Sequence, residues 1–399
     1  MLDTTQKGII CLLKSAVTGA PFPLPDGFDM EAVYPVVIRH CVCSMAFVGA
    51  AQCGISRQHP VMQKLFAAYC KELIWSTRQM EQVNRICALF DRNQIDYMPL
   101  KGCLMKDLYP NPELRYMGDA DILIRTEQYD RIRPLMQELG FEEQQESDHE
   151  LVWNSDALHL ELHKRLIPSY NKDYYRYYGD GWKMAKVQSG TRYAMTDEDQ
   201  FVFLFTHFSK HYRDGGIGLR HLTDLWVFRR QHPELNQTYI SAELEKLGLN
   251  TFFQHVSRVL DACFCGGSFD ERSEFILSFI FSSGVWGKMK NHILSAGVKE
   301  ISQTKKRKYL HRKYILHRIF PSAATLECRY QYLKKAPFLL PVAWICRGCN
   351  ILFTEPRKIK SFQNAVNTMT SEQIIDYQSS LAYVGLKFQF DEPKENESE

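Results

Sequence analysis

The sequence predicts an α/β fold of the α+β kind, with a small mixed sheet set between N- and C-terminal helical regions. Three observations predict it. Residues 1 to about 92 carry apolar side chains at three- and four-residue spacing, and the same spacing returns from about Thr196. Between them, short strand-like runs alternate with helices and then with hairpin-like turns. The chain has 399 residues, 45% hydrophobic and 24% charged, which suits two or three structural units and excludes collagen-like, fibrous and intrinsically disordered classes.

Taken in order, Met30 to Val48 and Val61 to Phe90 predict helices, with Pro60 placed where the second can begin. Ile95 to Leu100 reads as a strand, Lys101-Gly102 as a turn, and Cys103 to Leu108 as a helix that Tyr109-Pro-Asn-Pro112 stops. Gly118 to Arg125 predicts a second strand, followed by a helix from about Glu127 to Leu139 that ends at Gly140, a left-handed cap. Strand-like runs then fall around Phe141, His149 to Trp153 and Ala157 to Leu166. Four helical stretches follow: Asp197 to Tyr212, Leu219 to Arg230, Ile240 to Leu247 and Phe252 to Cys263. The implied organisation is a helical region over 1–94, an α/β core over 95–195, a helical region closing a cleft over 196–300, a basic and apolar helical region over 301–390, and an acidic disordered tail over 391–399.

The net charge of +3 is too small for a dedicated nucleic-acid binder, so any basic surface must be local. Lys305 to Arg318 holds seven Lys or Arg interleaved with Tyr309 and Tyr314, a candidate contact for RNA, anionic lipid or a negatively charged acceptor; a solvated helix face is the other reading. The 12 cysteines follow no framework spacing and read as mostly buried thiols in a reducing cytoplasm. Cys346-Arg-Gly-Cys349 lacks a matching pair and reads as packed thiols rather than a zinc site. Gly8 to Leu13 is cut short by Lys14, too soon for a signal-peptide core. Ala336 to Phe353 is broken by Pro337, Pro341, Arg347 and Gly348, so a spanning helix is not expected. Packing against the protein is the expectation for it, with membrane-surface contact as the alternative.

Chemistry concentrates at Asp119-Ala-Asp121. Side chains two apart on a strand point to one face, so both carboxylates converge while Ala120, Ile122 and Ile124 turn to the other. Like charges at the edge of an apolar strand call for a cation, and oxygen-only ligation suits Mg²⁺ or Mn²⁺. In Leu158-His-Leu-Glu-Leu-His163 the leucines alternate inward, which presents His159, Glu161 and His163 as the two aspartates are presented. If the two strands are neighbours, Asp119, Asp121 and Glu161 form a two-metal site for phosphoryl or nucleotidyl transfer.

Leu100-Lys-Gly102, Leu108-Tyr-Pro110, Leu114-Arg115, Gly118-Asp-Ala-Asp-Ile-Leu-Ile124 and Glu161-Leu-His163 resemble an uncharacterised bacterial nucleotidyltransferase family with an L-K-G, R-x-x-G-D-x-D, E-L-H pattern. That family looks like a branch of the DNA polymerase beta-like nucleotidyltransferase superfamily. The motif-bearing part spans about 95 to 170, and Gly218-Leu-Arg-His-Leu-Thr-Asp224 matches only in general character. The resemblance implies that Asp119 and Asp121 bind metal and triphosphate, and that Glu161 completes the metal site and aids deprotonation of the acceptor. The turn departs from the superfamily's Gly-Gly or Gly-Ser, so Lys101 is expected to supply the charge, a solvated turn lysine being its other reading, and Gly102 the close approach to phosphate.

Arg115 is expected either to grip a phosphate or to pair with Asp119 or Asp121. Gly118 is expected to relieve crowding at the metal site. His163 has two readings, donating to a phosphate or to Glu161, or standing exposed without a task. His207-Phe-Ser-Lys-His211 lacks the glutamate of a zinc-protease motif; it reads as a helical wall of the cleft with Lys210 or His211 near the nucleotide, or as ordinary surface. Asp224 is expected to pair with Arg220 or one of those histidines. The reading is transfer of a nucleoside monophosphate from an NTP to a hydroxyl of a small molecule, sugar, protein or RNA. The alternatives are a nucleotide- or partner-binding pseudoenzyme and a kinase-like phosphoryl transferase.

Overall fold

The computed structural model describes residues 2–304, 319–326, 330–354 and 370–388. The basic run Lys305 to Arg318 and the acidic tail 391–399 lie outside the described residues.

Helix α1 (Thr4–Thr18) is closed at its N-terminus by a capping box between Asp3 and Gln6. The stretch expected as one helix from Met30 is two, α2 (Val33–Arg39) and α3 (Cys43–Gln52). The break has a local cause: Cys41 takes a φ of +53°, a left-handed conformation that a helix cannot absorb. Pro60 opens the long α4 (Pro60–Arg92), as its position at the first helical turn favours.

The core follows as β1 (Tyr97–Pro99), α5 (Lys101–Lys106), β2 (Ala120–Ile124), α6 (Tyr129–Glu138), β3 (Glu142–Glu146), β4 (Glu150–Asn154) and β5 (His159–His163). Helix α7 (Lys172–Tyr178) and a hairpin of β6 (Lys186–Ser189) and β7 (Arg192–Ala194) complete it. The seven strands lie in the order β3-β4-β5-β2-β1-β7-β6. Strand β2 is antiparallel to β1 and parallel to β5, which makes the sheet mixed. Edge strand β3, Glu-Glu-Gln-Gln-Glu, is charged and largely exposed, which discourages further strand addition.

Alternation divides the two sheet faces. Ala120, Ile122, Ile124, Leu151, Trp153, Leu160 and Leu162 join a buried cluster with Val83, Ile86 and Phe90 of α4 and Ile132 and Met136 of α6. Met98 and Leu123 belong instead to the larger cluster shared with the helices, which draws residues from Leu2 to Leu386. The face that carries Asp121 therefore looks toward α8 (Asp197–Asp214) and α9 (Leu219–Gln231). Helices α10 (Gln237–Lys246), α11 (Asn250–Leu260), α12 (Glu271–Ser283) and α13 (Met289–Thr304) follow.

A buried lysine fixes the loop that leads into β2. Lys106 Nζ donates to Ser76 Oγ and to the Arg115 carbonyl, both at 2.8 Å, and reaches Glu72 Oε1 at 3.5 Å. Burial pulls its pKa down to about 8 despite Glu72. The same burial pushes Glu72 up to about 7.

His40 joins three segments from a fully buried position. Its Nδ1 accepts from the Leu219 backbone N–H at 3.1 Å, and its Nε2 contacts the Phe281 carbonyl at 3.2 Å. That arrangement needs the neutral ring protonated at Nε2, and burial lowers its pKa to about 4. The unfolded chain takes up this proton near about pH 6.5. The contribution is therefore complete above that pH and falls by about 3 kcal/mol as the pH drops toward 4. We expect His40→Leu to be less stable at neutral pH but to lose stability more slowly on acidification, by one proton's worth of slope. Urea unfolding between pH 4.5 and 7 checks this; equal slopes in the two proteins would contradict it.

Among the described residues, 11 cysteines are free thiols; Cys87, Cys103 and Cys263 are buried, whereas Cys265, Cys346 and Cys349 are exposed. The expectation of mostly buried thiols is thus corrected. Cys346 and Cys349 lie on the helix Leu340–Thr354, where Phe338, just before it, Val342 and Ile345 are also exposed, so this stretch packs less completely than its composition implies. No helix among the described residues is long and apolar enough to cross a membrane.

Candidate active site: acidic side chains in a histidine-walled cleft

The parallel pairing of β2 and β5 sets Asp121 directly opposite Glu161 and Leu123 opposite His163. Asp119 sits just before β2. The three carboxylates crowd one another, and two cationic groups answer them. His163 Nε2 donates to Asp121 Oδ1 at 2.8 Å and lies 3.4 Å from Glu161 Oε2, while Lys101 Nζ donates to Asp121 Oδ1 at 3.4 Å. His159 stands 3.7 Å from Glu161.

The titration of these groups follows from burial against charge. Burial alone would raise Asp121, but Lys101 and His163 hold it down to about 2. Glu161 is likewise held below its ordinary range by His159 and His163 against the effect of burial. Asp119, without such a contact, is raised by burial and by its two acidic neighbours. Burial would lower His163, yet Asp121 and Glu161 lift it to about 9. Lys101 is raised in the same way by Asp121, Asp119 and Glu161, against burial.

Asp121, Glu161 and His163 offer ligand atoms that all lie within 4.8 Å of one another. His163 joins Asp121 and Glu161 in this grouping, and Asp119 stands close enough for both acids to raise it. The carboxylates supply the oxygen ligands that suit Mg²⁺ or Mn²⁺, and the imidazole could join them only on giving up its proton. His149, Glu150 and His163 form a second such grouping. The exposed reading of His163 is corrected, since it is 3% exposed.

Lys101 opens α5 with a φ of +22°, an unfavourable conformation for a residue with a side chain. Strain of this kind collects at functional sites. Gly102 packs tightly within the chain: a Cβ there would lie 3.1 Å from the Asp119 carbonyl and 3.2 Å from the Met117 side chain, so those neighbours would have to give by a few tenths of an ångström. Gly118 is different. A Cβ there would meet only ordinary contacts, 3.6 Å to Tyr116 and 3.7 Å to Trp286, so crowding is not the reason for a glycine.

Arg115 does not pair with Asp119 or Asp121. Its Nε and Nη2 donate to the two carboxylate oxygens of Asp224 at 2.9 and 3.0 Å, and the Tyr109 hydroxyl donates to Asp224 Oδ1 at 2.8 Å. All three are buried, and Arg115 Nη1 lies 3.4 Å from the Gly102 carbonyl. Asp224 therefore takes Arg115 and Tyr109 rather than Arg220 or a histidine, and clamps α9 to the segment that leads into Asp119. Arg220 donates instead to the Tyr116 carbonyl at 2.8 Å and to His221 Nε2 at 3.1 Å.

These groups line a cleft of about 200 Å³ whose walls include Lys101, Gly102, Arg115, Gly118, Asp119 and Asp121 from the core. The helical side contributes His207, His211, Arg220, His221, Asp224, Trp286 and His292. His207 and His211 approach within 3.0 Å through their Nε2 atoms. Burial holds both, and His221, neutral at ordinary pH. Lys210 is outside the lining, and burial and nearby Lys101 draw its pKa to about 8.

Sequence reasoning missed Arg220, His221, Trp286 and His292. The first two lie in the noted Gly218 to Asp224 segment, whereas no sequence signal marks Trp286 or His292, which a turn after α12 and helix α13 bring in from far along the chain. A family model described as an uncharacterised nucleotidyltransferase matches residues 26–264, more than half of the chain. The chain belongs to this family. The match spans α2 to α11 and so includes the acidic strands, Lys101, Arg115 and α9 of this nucleotidyltransferase-family chain. No curated protein and no solved structure matches it. Family membership supports nucleotidyl transfer as the general activity.

Proposed function

We propose that this chain transfers a nucleoside monophosphate from an NTP to a hydroxyl of an acceptor, in a divalent-cation-dependent reaction. The supporting observation is the Asp121–Glu161 pair on adjacent parallel strands, with Asp119 beside it, at the edge of a cleft walled by cationic and imidazole groups. Asp121, Glu161 and deprotonated His163, with Asp119 alongside, would hold Mg²⁺ or Mn²⁺, which neutralises phosphoryl oxygens when bound.

The chain's own residues do the rest. Lys101 and Arg220 hold the triphosphate, with neutral His207, His211 and His221 donating hydrogen bonds where charge develops. Arg115 acts from behind, through Asp224 and Tyr109, to keep the Gly118–Asp119 backbone in place. The acceptor oxygen attacks the α-phosphorus, the bond to the β-phosphate oxygen breaks, and pyrophosphate leaves. The acceptor proton passes to a carboxylate of the cluster. In-line positioning and fixed electrostatics supply most of the acceleration.

Incubation of the chain and cell lysate with each α-³²P-labelled NTP and Mg²⁺ or Mn²⁺ tests this reading. The expected result is label transferred to an acceptor with release of pyrophosphate. Label transferred only from γ-³²P-NTP would favour the kinase-like alternative and contradict the proposal.

A further inference from the structure

Two turns interlock at the mouth of the cleft. The turn 215–218 joins α8 to α9, and the turn 284–288 joins α12 to α13. They meet without spare room: a Cβ on Gly218 would fall 2.6 Å from Val285 Cγ2, and one on Gly216 would fall 2.3 Å from Ser283 Oγ. The second turn is tied down by hydrogen bonds from Val285 N–H to the Arg39 carbonyl and from Lys288 N–H to the Gly215 carbonyl, both 3.0 Å. Between those anchors stands Trp286, 72% exposed and yet part of the cleft wall. A fixed turn that holds a large apolar ring in water beside a polar cleft points to a planar ligand group.

Trp286 Cη2 and Tyr116 Cε1 reach 3.7 and 3.6 Å from the point where a Gly118 side chain would begin. Both are ordinary van der Waals distances from the same point, and Gly118 has a backbone conformation open to any residue. The missing side chain leaves the Gly118 backbone bare beside the rim of the Trp286 ring, in the same cleft as Asp119, while Tyr116 lines the neighbouring cavity. The Tyr116 carbonyl is held by Arg220.

The remainder of the cleft offers donors. Arg220 Nε and His221 Nδ1 are buried with no hydrogen-bond partner among the described residues. Because His221 Nε2 accepts from Arg220, its Nδ1 carries the proton and is a donor awaiting an acceptor. A ligand with a flat ring at one end and an anionic chain at the other matches both halves.

We propose that Trp286 stacks on the base of the nucleotide, above the bare backbone of Gly118. The inference rests on the reading given under Proposed function and adds the element that distinguishes a nucleotide from bare polyphosphate. Trp286 lies beyond residues 26–264, so family membership does not carry it.

Calorimetry with Mg²⁺, inorganic triphosphate and the four α,β-methylene NTPs separates the two claims. The wild-type chain binds at least one of these NTPs more tightly than triphosphate. Trp286→Ala weakens that NTP by roughly tenfold, the size of a lost base–aromatic stack, and leaves triphosphate unchanged. Trp286→Phe recovers most of the loss. Gly118→Ala, whose methyl meets only ordinary contacts within the chain, covers the bare backbone beneath the base and weakens the NTP alone. Triphosphate binding with no preference for any NTP, or equal losses of both ligands in Trp286→Ala, overturns the stack but not the function. No binding of either ligand to the wild-type chain overturns both.

Discussion

Asp121→Asn is expected to lose at least roughly 10²-fold in nucleotidyl transfer while the chain stays folded. The amide keeps the size of the side chain and can still accept from His163 and Lys101, but its neutral oxygen is a poor partner for a divalent cation. Asp121→Ala is a different experiment. On sequence grounds an acid at a strand edge is exposed and dispensable to the fold, but Asp121 is 3% exposed and is the shared partner of two cationic groups. Its removal takes from Lys101 and His163 the carboxylate that both contact and leaves Glu161 and Asp119 to answer them less closely, at a cost of about 3 kcal/mol. Activity assays on Asp121→Asn and urea unfolding of both variants separate the effects; full activity in Asp121→Asn would refute its assigned role.

Arg115→Met is expected to destabilise the chain by about 3–5 kcal/mol, because it strands the Asp224 carboxylate in a buried site. The pair is fully engaged, with two charge-assisted hydrogen bonds at 2.9 and 3.0 Å and a third from Tyr109. Asp224→Leu alone is destabilising for the mirror-image reason. The double variant Arg115→Met/Asp224→Leu recovers most of the loss, since it buries no unpaired charge, but does not recover activity. Arg115 precedes Asp119 by only four residues, and the clamp fixes the backbone between them. Thermal and urea unfolding of the single and double variants check this; a single variant as stable as wild type would sink it.

Much of the core was readable from residue pattern. Alternation alone put Ala120, Ile122 and Ile124 on one face and Asp121 on the other, and it oriented Glu161 in the same sense. Proline and glycine marked ends at Pro60 and Gly140. The missed features have physical reasons. Strands β6 and β7 are short, β6 is exposed, and β7 joins the sheet through a single registered pair with β1, so no apolar alternation announces them. The break at Cys41 is a backbone conformation that side-chain spacing does not encode.

Within the site, the local part was legible and the long-range part was not. The hydrogen bond from His163 to Asp121 depends on β2 and β5 being parallel neighbours, which neither strand states alone. Arg115 and Asp224 lie 109 residues apart, and their pairing is decided by how α9 docks on the segment leading to β2. Trp286 reaches the cleft only because the turns at 215–218 and 284–288 interlock.

The most direct measurement is Mn²⁺ binding, followed by electron paramagnetic resonance, to the wild-type chain, Asp121→Asn and Glu161→Gln. Two acidic residues from different strands that share one divalent cation predict binding by the wild-type chain and its loss in each variant. Wild-type affinity for Mn²⁺ in either variant would contradict the account.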